Sequence, residues 1–205
     1  MSYQPAARER RGRSSPPRRF LNAQDGCWHV QITQGETHVT DDPQELVTTI
    51  LGSCIAACIR DPHVGVGGMN HFLLPSSDGK DRDAMRYGVN AMELLINGLL
   101  SRGASRSMLE AKLFGGANVL AGMSDVGSRN AAFAEKYLAD EGIRVVGGDV
   151  GGTKPRRVQY WPTTGRARQF AMPPIDGTQL VERELAKSSQ MRKSEPAGGA
   201  DVELF

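Results

Sequence analysis

Thr48-Thr-Ile-Leu-Gly-Ser-Cys-Ile-Ala-Ala-Cys-Ile-Arg-Asp-Pro62 is the stretch from which the fold is read. Thr48 to Leu51 is apolar and β-prone, Gly52-Ser53 breaks it, and Ile55 to Arg60 resumes as a short strand. Asp61-Pro62 turns the chain. Val64 to Leu74 then holds Gly65, Gly67 and Gly68 among apolar residues. It reads as a buried strand in close backbone contact with its neighbours, and Pro75 stops it.

Outward from this stretch, strand and helix signals continue. Upstream, Trp28 to Thr33 alternates apolar and polar, as a half-buried strand does. Downstream, Asp83 is placed as an N-cap, with Met85, Val89, Met92, Ile96 and Leu99 at helical spacing and Gly103 as the stop. Leu109 to Phe114 alternates again and runs into Gly115-Gly116. Ser128 is placed to cap a second helix through Leu138, with its end near Gly142. Ile143 to Val146 reads as a strand, and Val158–Trp161 with Arg166–Phe170 as a hairpin. The order β, β, β, α, β, α, β, β, β predicts an α/β protein: mixed, mostly antiparallel sheet layers flanked by two main helices in a single domain.

Charge and composition set the boundaries. The 205 residues suit one domain. Residues 1–19 carry six arginines against the single acid Glu9, together with Pro5, Pro16 and Pro17. Such a segment buries too little apolar surface to offset its ordering entropy. The division expected is a disordered basic tail over 1–24, a folded domain over 25–175 and a largely disordered C-terminal tail over 176–205. No apolar run approaches the roughly 18 residues of a membrane span. Three cysteines are too few, and odd in number, for a disulfide scaffold. The net charge of +2 points to no specific nucleic-acid partner.

The chemistry rests on few residues. Cysteines stand at 27, 54 and 58 and histidines at 29, 38, 63 and 71. Cys54 follows a glycine turn, which leaves a nucleophile exposed with amides nearby to hold an oxyanion; Gly52, Ser53, Gly115 and Gly116 are the candidates for that role. His71 lies late in the next strand, and paired strands lie about 4.8 Å apart. A Cys54–His71 pair is therefore within reach, and such pairing lowers a thiol pKa from about 8.5 and supplies a base. The alternatives are a thiol packed as a small hydrophobe with a structural histidine, and a metal site formed by Cys54, Cys58, His63 and His71, whose spacing matches no zinc knuckle or finger. Asp149-Val-Gly-Gly-Thr-Lys154 lacks the order of a phosphate-binding loop.

Thr48 through Pro62, followed by Val66-Gly-Gly-Met-Asn-His-Phe-Leu-Leu-Pro75, resembles the signature of CheD, the chemoreceptor glutamine deamidase family. Arg86-Tyr87, Lys112-Leu-Phe-Gly-Gly-Ala117, Gly127-Ser-Arg-Asn130 and Gly148-Asp-Val-Gly-Gly152 extend the resemblance over roughly residues 28–171. It implies Cys54 as nucleophile, His71 as base and Thr48 as the residue orienting the imidazole, with Thr49 as the alternative register. The implied reaction converts receptor glutamines to glutamate through a thioester, without metal or organic cofactor, and the same chemistry extends to glutamyl methyl esters. The implied partners are chemoreceptor cytoplasmic domains and a CheC-type phosphatase, and the implied compartment is the cytoplasm. A non-catalytic adaptor that binds receptors or that phosphatase is the alternative. The chain departs from the resemblance at Pro155, which stands where the late loop ordinarily has glycine and supplies no N–H.

Overall fold

The computed structural model describes residues 17–74, 81–119, 125–172 and 186. Among the described residues, ten strands form two five-stranded sheets. The first sheet has the order β1 (Arg18–Leu21), β2 (Trp28–Gln31), β4 (Glu45–Leu51), β9 (Arg156–Trp161), β10 (Arg166–Ala171). The second has the order β3 (Thr37–Thr40), β6 (Val66–Asn70), β5 (Ile55–Asp61), β7 (Glu110–Gly115), β8 (Arg144–Val150). The pairs β2–β4 and β7–β8 are parallel and all others antiparallel. Helix α1 (Asp81–Leu100) packs on β3, β5 and β6, and α2 (Val126–Asp140) on β5, β7 and β8. Both helices thus cover one face of the second sheet, and the first sheet covers the other. The expected α/β domain of mostly antiparallel sheet layers with two main helices is the observed one.

Strand β5 shows how period-2 alternation feeds both cores. Ile55, Ala57 and Ile59 face the helices and meet Phe72, Met92, Leu95 and Ile96. Cys54, Ala56 and Cys58 face the first sheet and meet Val30, Val47, Leu51 and Tyr160. A strand buried on both faces reads as a continuous apolar run, which Ile55–Ile59 is. The glycines of β6 mark a close approach: a Cβ at Gly67 would fall 2.4 Å from Pro162 O.

Several boundaries differ from those expected. Arg18–Leu21, assigned to the disordered 1–24 tail, is strand β1, paired antiparallel with Trp28–Gln31. Four residues carry no usable periodicity; tertiary contacts hold them, with Arg19 Nε donating to Glu45 Oε1 at 2.8 Å and its guanidinium stacked 4.1 Å from the Trp28 ring centre. Residues 1–16 lie outside the described residues, as does the C-terminal segment 176–205 apart from Ala186. Strand β3 had no reading in the sequence. Helix α1 starts at Asp81, before the expected cap at Asp83, and α2 starts at Val126, before Ser128. Met85 and Val89, placed on the buried stripe of α1, are 45 % and 40 % exposed. The stripe enters instead through Ala84 and Gly88, where a Cβ would lie 2.6 Å from Leu74 and Phe133 side-chain atoms.

Candidate active site

Cys54 stands immediately before β5 and His71 immediately after β6. Ile55 and Phe72 exchange both backbone hydrogen bonds, each at 2.9 Å, and extend the β5–β6 register past the named strands. In that register Ala56 lies opposite His71 and Cys54 opposite Leu73. All four side chains share the face toward the first sheet, and Cys54 and His71 are diagonal neighbours on it, a spacing long side chains bridge. Both are buried, Cys54 at 0 % and His71 at 4 % exposure. The exposed nucleophile expected from the glycine turn is therefore corrected: the sulfur sits in the apolar layer between the sheets.

His71 is held through both its backbone and its ring. His71 N–H donates to Glu36 O at 3.0 Å, and His71 O accepts from Gly35 N–H at 2.7 Å. From the first sheet, Thr49 Oγ1 lies 2.7 Å from His71 Nδ1 and donates to Ile32 O at 2.8 Å. With its hydrogen committed to Ile32, the Thr49 oxygen accepts from Nδ1–H. The neutral ring then carries its proton on Nδ1, and Nε2 is the basic nitrogen. Thr48, placed on the imidazole by the resemblance, points to the outer face of its sheet, where its hydroxyl donates to Val158 O at 3.0 Å. Alternation decides this: Val47, Thr49 and Leu51 face inward, and Thr48 cannot. We expect Thr49→Val to lower the turnover of any His71-dependent reaction roughly tenfold, with recovery in Thr49→Ser, and Thr48→Val to change it by less than about twofold. The reverse ranking in steady-state rates would remove Thr49 from the site.

The four glycine-turn residues divide by role. Gly116 N–H is spent on Cys54 O at 2.7 Å, so it is not an oxyanion donor; Gly115 O accepts from Gly151 N–H at 2.8 Å. What the pair supplies is proximity: Gly115 has φ 108° and a Cβ there would fall 2.2 Å from Cys54 O, while at Gly116 it would meet Gly127 O at 2.8 Å. Gly52 O accepts from Ala117 N–H at 2.9 Å, and Ser53 O from Asn130 Nδ2 at 2.7 Å.

Asn130, on α2 and 0 % exposed, is a residue whose part in the site was not read from the sequence. Its other amide atom, Oδ1, accepts from Leu74 N–H at 2.9 Å. One side chain therefore ties the turn before Cys54 to the segment after His71. Asn70 plays a similar part on the helix side, accepting from Ala57 N–H at 3.0 Å and donating to Ala91 O at 3.0 Å. Burial pushes the Tyr87 hydroxyl up, and the charge of a Cys54 thiolate adds to the shift; Tyr87 is thus a neutral O–H in the electrostatic reach of the sulfur. The loop with Pro155 braces the glycine turn, since Asn118 N–H donates to Gly152 O at 2.8 Å and Arg156 Nη1 to Asp149 O at 2.9 Å. Pro155 itself accepts from Met172 N–H at 2.9 Å.

The metal alternative does not assemble. His63 lies in the turn after β5, at the opposite end of that strand from Cys54, and no group of three or more metal-ligating side chains converges among the described residues. Cys58 faces the same layer as Cys54, but burial raises its thiol far above the ordinary range. Cys27 lies apart, beside β2.

The layers and this site define an α/β domain carrying a buried cysteine–histidine pair on adjacent strands. The CheD family model, described as CheD chemotactic sensory transduction, matches residues 73–169. A Caulobacter vibrioides (strain NA1000 / CB15N) protein named "Probable chemoreceptor glutamine deamidase CheD" is 56 % identical over 182 residues, which is 86 % of this chain and 92 % of that one. Proteins of the same name from Sinorhizobium medicae (strain WSM419) and Rhizobium rhizogenes (strain K84 / ATCC BAA-868) are 53 % and 52 % identical. They cover 80 % and 86 % of this chain, and 91 % and 95 % of their own lengths. The chain belongs to the CheD family.

Proposed function

We propose that this protein deamidates glutamine side chains of chemoreceptor cytoplasmic domains, with Cys54 as nucleophile, His71 as general base and acid, and Thr49 as the group that orients His71. The observation that carries the reading is the placement of Cys54 and His71 on one face of adjacent strands, with Thr49 leaving Nε2 as the basic nitrogen. His71 Nε2 takes the thiol proton, and the sulfur attacks the amide carbon. The tetrahedral oxyanion forms against the backbone of the Gly52-to-Cys54 turn. Collapse of that intermediate transfers the Nε2 proton to the departing nitrogen, and ammonia leaves a thioester. His71 then draws a proton from water, the hydroxide adds to the thioester carbon, and the thiol leaves with the proton returned. Glutamate is the product.

The chemistry needs no metal or organic cofactor, and it extends to glutamyl methyl esters, from which methoxide leaves more readily than amide nitrogen. Because Cys54 is fully covered, a receptor glutamine reaches its sulfur through a local opening of the site. The reading carries with it a cytoplasmic location and a CheC-type phosphatase as a second partner. No helix among the described residues is long and apolar enough to cross a membrane. The test is incubation of the full chain with a receptor cytoplasmic fragment, followed by peptide mass analysis. Gln-to-Glu conversion at discrete positions is the expected result; a fragment recovered unchanged, alongside intact binding, would favour the adaptor reading.

A further inference from the structure

The outer face of the first sheet carries a feature that the cysteine chemistry does not use. In the β9–β10 hairpin, Arg157 pairs with Phe170 and Gln159 with Arg168. The intervening Val158 and Tyr160 point into the core, so these four side chains all point outward. Arg157 and Arg168 are diagonal neighbours, roughly 7–8 Å apart at the backbone and within mutual reach at their guanidiniums. With Asp25 and His29 they border a cleft of about 610 Å³.

The cleft is short of negative charge. Arg157 and Arg168 make no ion pair among the described residues. Arg168 Nε donates to the neutral Gln159 Oε1 at 2.9 Å, and its guanidinium rests 5.5 Å from the Phe170 ring centre and 5.1 Å from that of Trp161. These contacts hold the planar fork in place and leave its terminal nitrogens for another acceptor. The carboxylate on the wall, Asp25, is already engaged: Oδ1 accepts from Cys27 N–H at 3.0 Å, and Oδ2 lies 2.8 Å from His29 Nε2. Two guanidiniums placed side by side repel each other, and a bidentate oxyanion between them removes the repulsion while matching their donor geometry.

We propose that this cleft is an oxyanion-binding site, separate from the Cys54 site, that takes a phosphate or carboxylate group between Arg157 and Arg168. The cleft opens on the face of the first sheet opposite the one that buries Cys54, so occupancy can be measured without reference to catalysis.

The test titrates inorganic phosphate and, separately, succinate into the full chain by isothermal calorimetry, at ionic strength held constant with sodium chloride. The expected result is saturable one-to-one binding that weakens tenfold or more in Arg168→Gln and in Arg157→Gln. It should be unchanged in Arg102→Gln, an exposed arginine paired with Asp41 at 2.9 Å. Binding of phosphate alone marks a phosphate site, binding of both or of succinate alone marks a carboxylate-accepting one, and each supports the proposal. Circular dichroism melts of the variants distinguish a lost site from a lost fold. Absence of saturable binding by either anion, or binding that survives in the folded Arg157→Gln/Arg168→Gln double variant, would overturn it. Neither outcome bears on deamidation.

Discussion

Cys54→Ala is expected to abolish Gln-to-Glu conversion, a loss of about three or more orders of magnitude, while leaving a folded protein. The change removes one sulfur from an apolar layer, a deletion on the scale of a single buried methylene, about 1 kcal/mol. For a chain of this size that lowers the thermal midpoint by only about 2–4 °C. Cys58 is the internal control. It faces the same layer from the same strand and is equally covered, at 1 % exposure against 0 %. It lies four residues further along β5, opposite Met69 and diagonal to His71 from the other side, but in mid-strand, paired with both β6 and β7 away from the glycine turn, where burial holds its thiol protonated. Cys58→Ala should therefore cost similar stability and keep most of the activity. The two thiols also separate by chemistry. Iodoacetamide should modify Cys54 faster than Cys58 at neutral pH, although burial hinders both. His71→Ala should bring the Cys54 rate down to that of Cys58, because the cation that stabilises the thiolate is gone. Equal labelling of the two buried thiols in the native protein, or a dead Cys58→Ala beside an active Cys54→Ala, would sink the assignment.

Asn130→Ala should produce the largest combined loss of stability and activity outside the cysteine–histidine pair. The side chain is fully buried and serves two backbone groups at once, Ser53 O at 2.7 Å and Leu74 N–H at 2.9 Å. Truncation leaves a buried acceptor and a buried donor unmet, at about 1–3 kcal/mol each. The thermal midpoint should fall by roughly 10 °C. The activity loss has a separate cause. Asn130 holds the Ser53–Cys54 peptide by its carbonyl, which sets the direction of the nucleophile's own N–H and Cα–Cβ bond. Well below the midpoint, where the variant is folded, turnover and the iodoacetamide rate at Cys54 should both drop while the rate at Cys58 stays unchanged. A variant that is destabilised yet labels and turns over normally would reduce Asn130 to a structural bolt.

The continuous apolar run Ile55–Ile59, the glycines of β6, the β9–β10 hairpin and the Met92, Ile96, Leu99 part of the α1 stripe were legible because each is a local pattern. Parity along one strand placed Cys54 and Cys58 on the same face for the same reason. The choice between Thr48 and Thr49 was not legible. Residues 46, 47, 50 and 51 are all apolar, so alternation marks no inward face, and only the pairing of Thr49 with Val158 on β9, with His71 facing it from the other sheet, selects the residue. Nor does local pattern reveal the burial of Cys54: a glycine turn exposes its neighbour until a second sheet is laid over it.

What the sequence by itself determined was most of the elements, β1 and β3 excepted, since 3.6- and 2-residue periodicities are properties of short segments; it singled out Cys54 and His71 only through the family resemblance. Tertiary structure alone decided the partition of ten strands into two sheets, the strand made by Arg18–Leu21, the inward turn of Thr49 and the bridge made by Asn130. Each of these depends on contacts between residues far apart in the chain, 22 positions for Thr49 and His71 and 77 for Asn130 and Ser53. Hydrogen bonds at that separation form only once the layers have packed, and no local propensity encodes them.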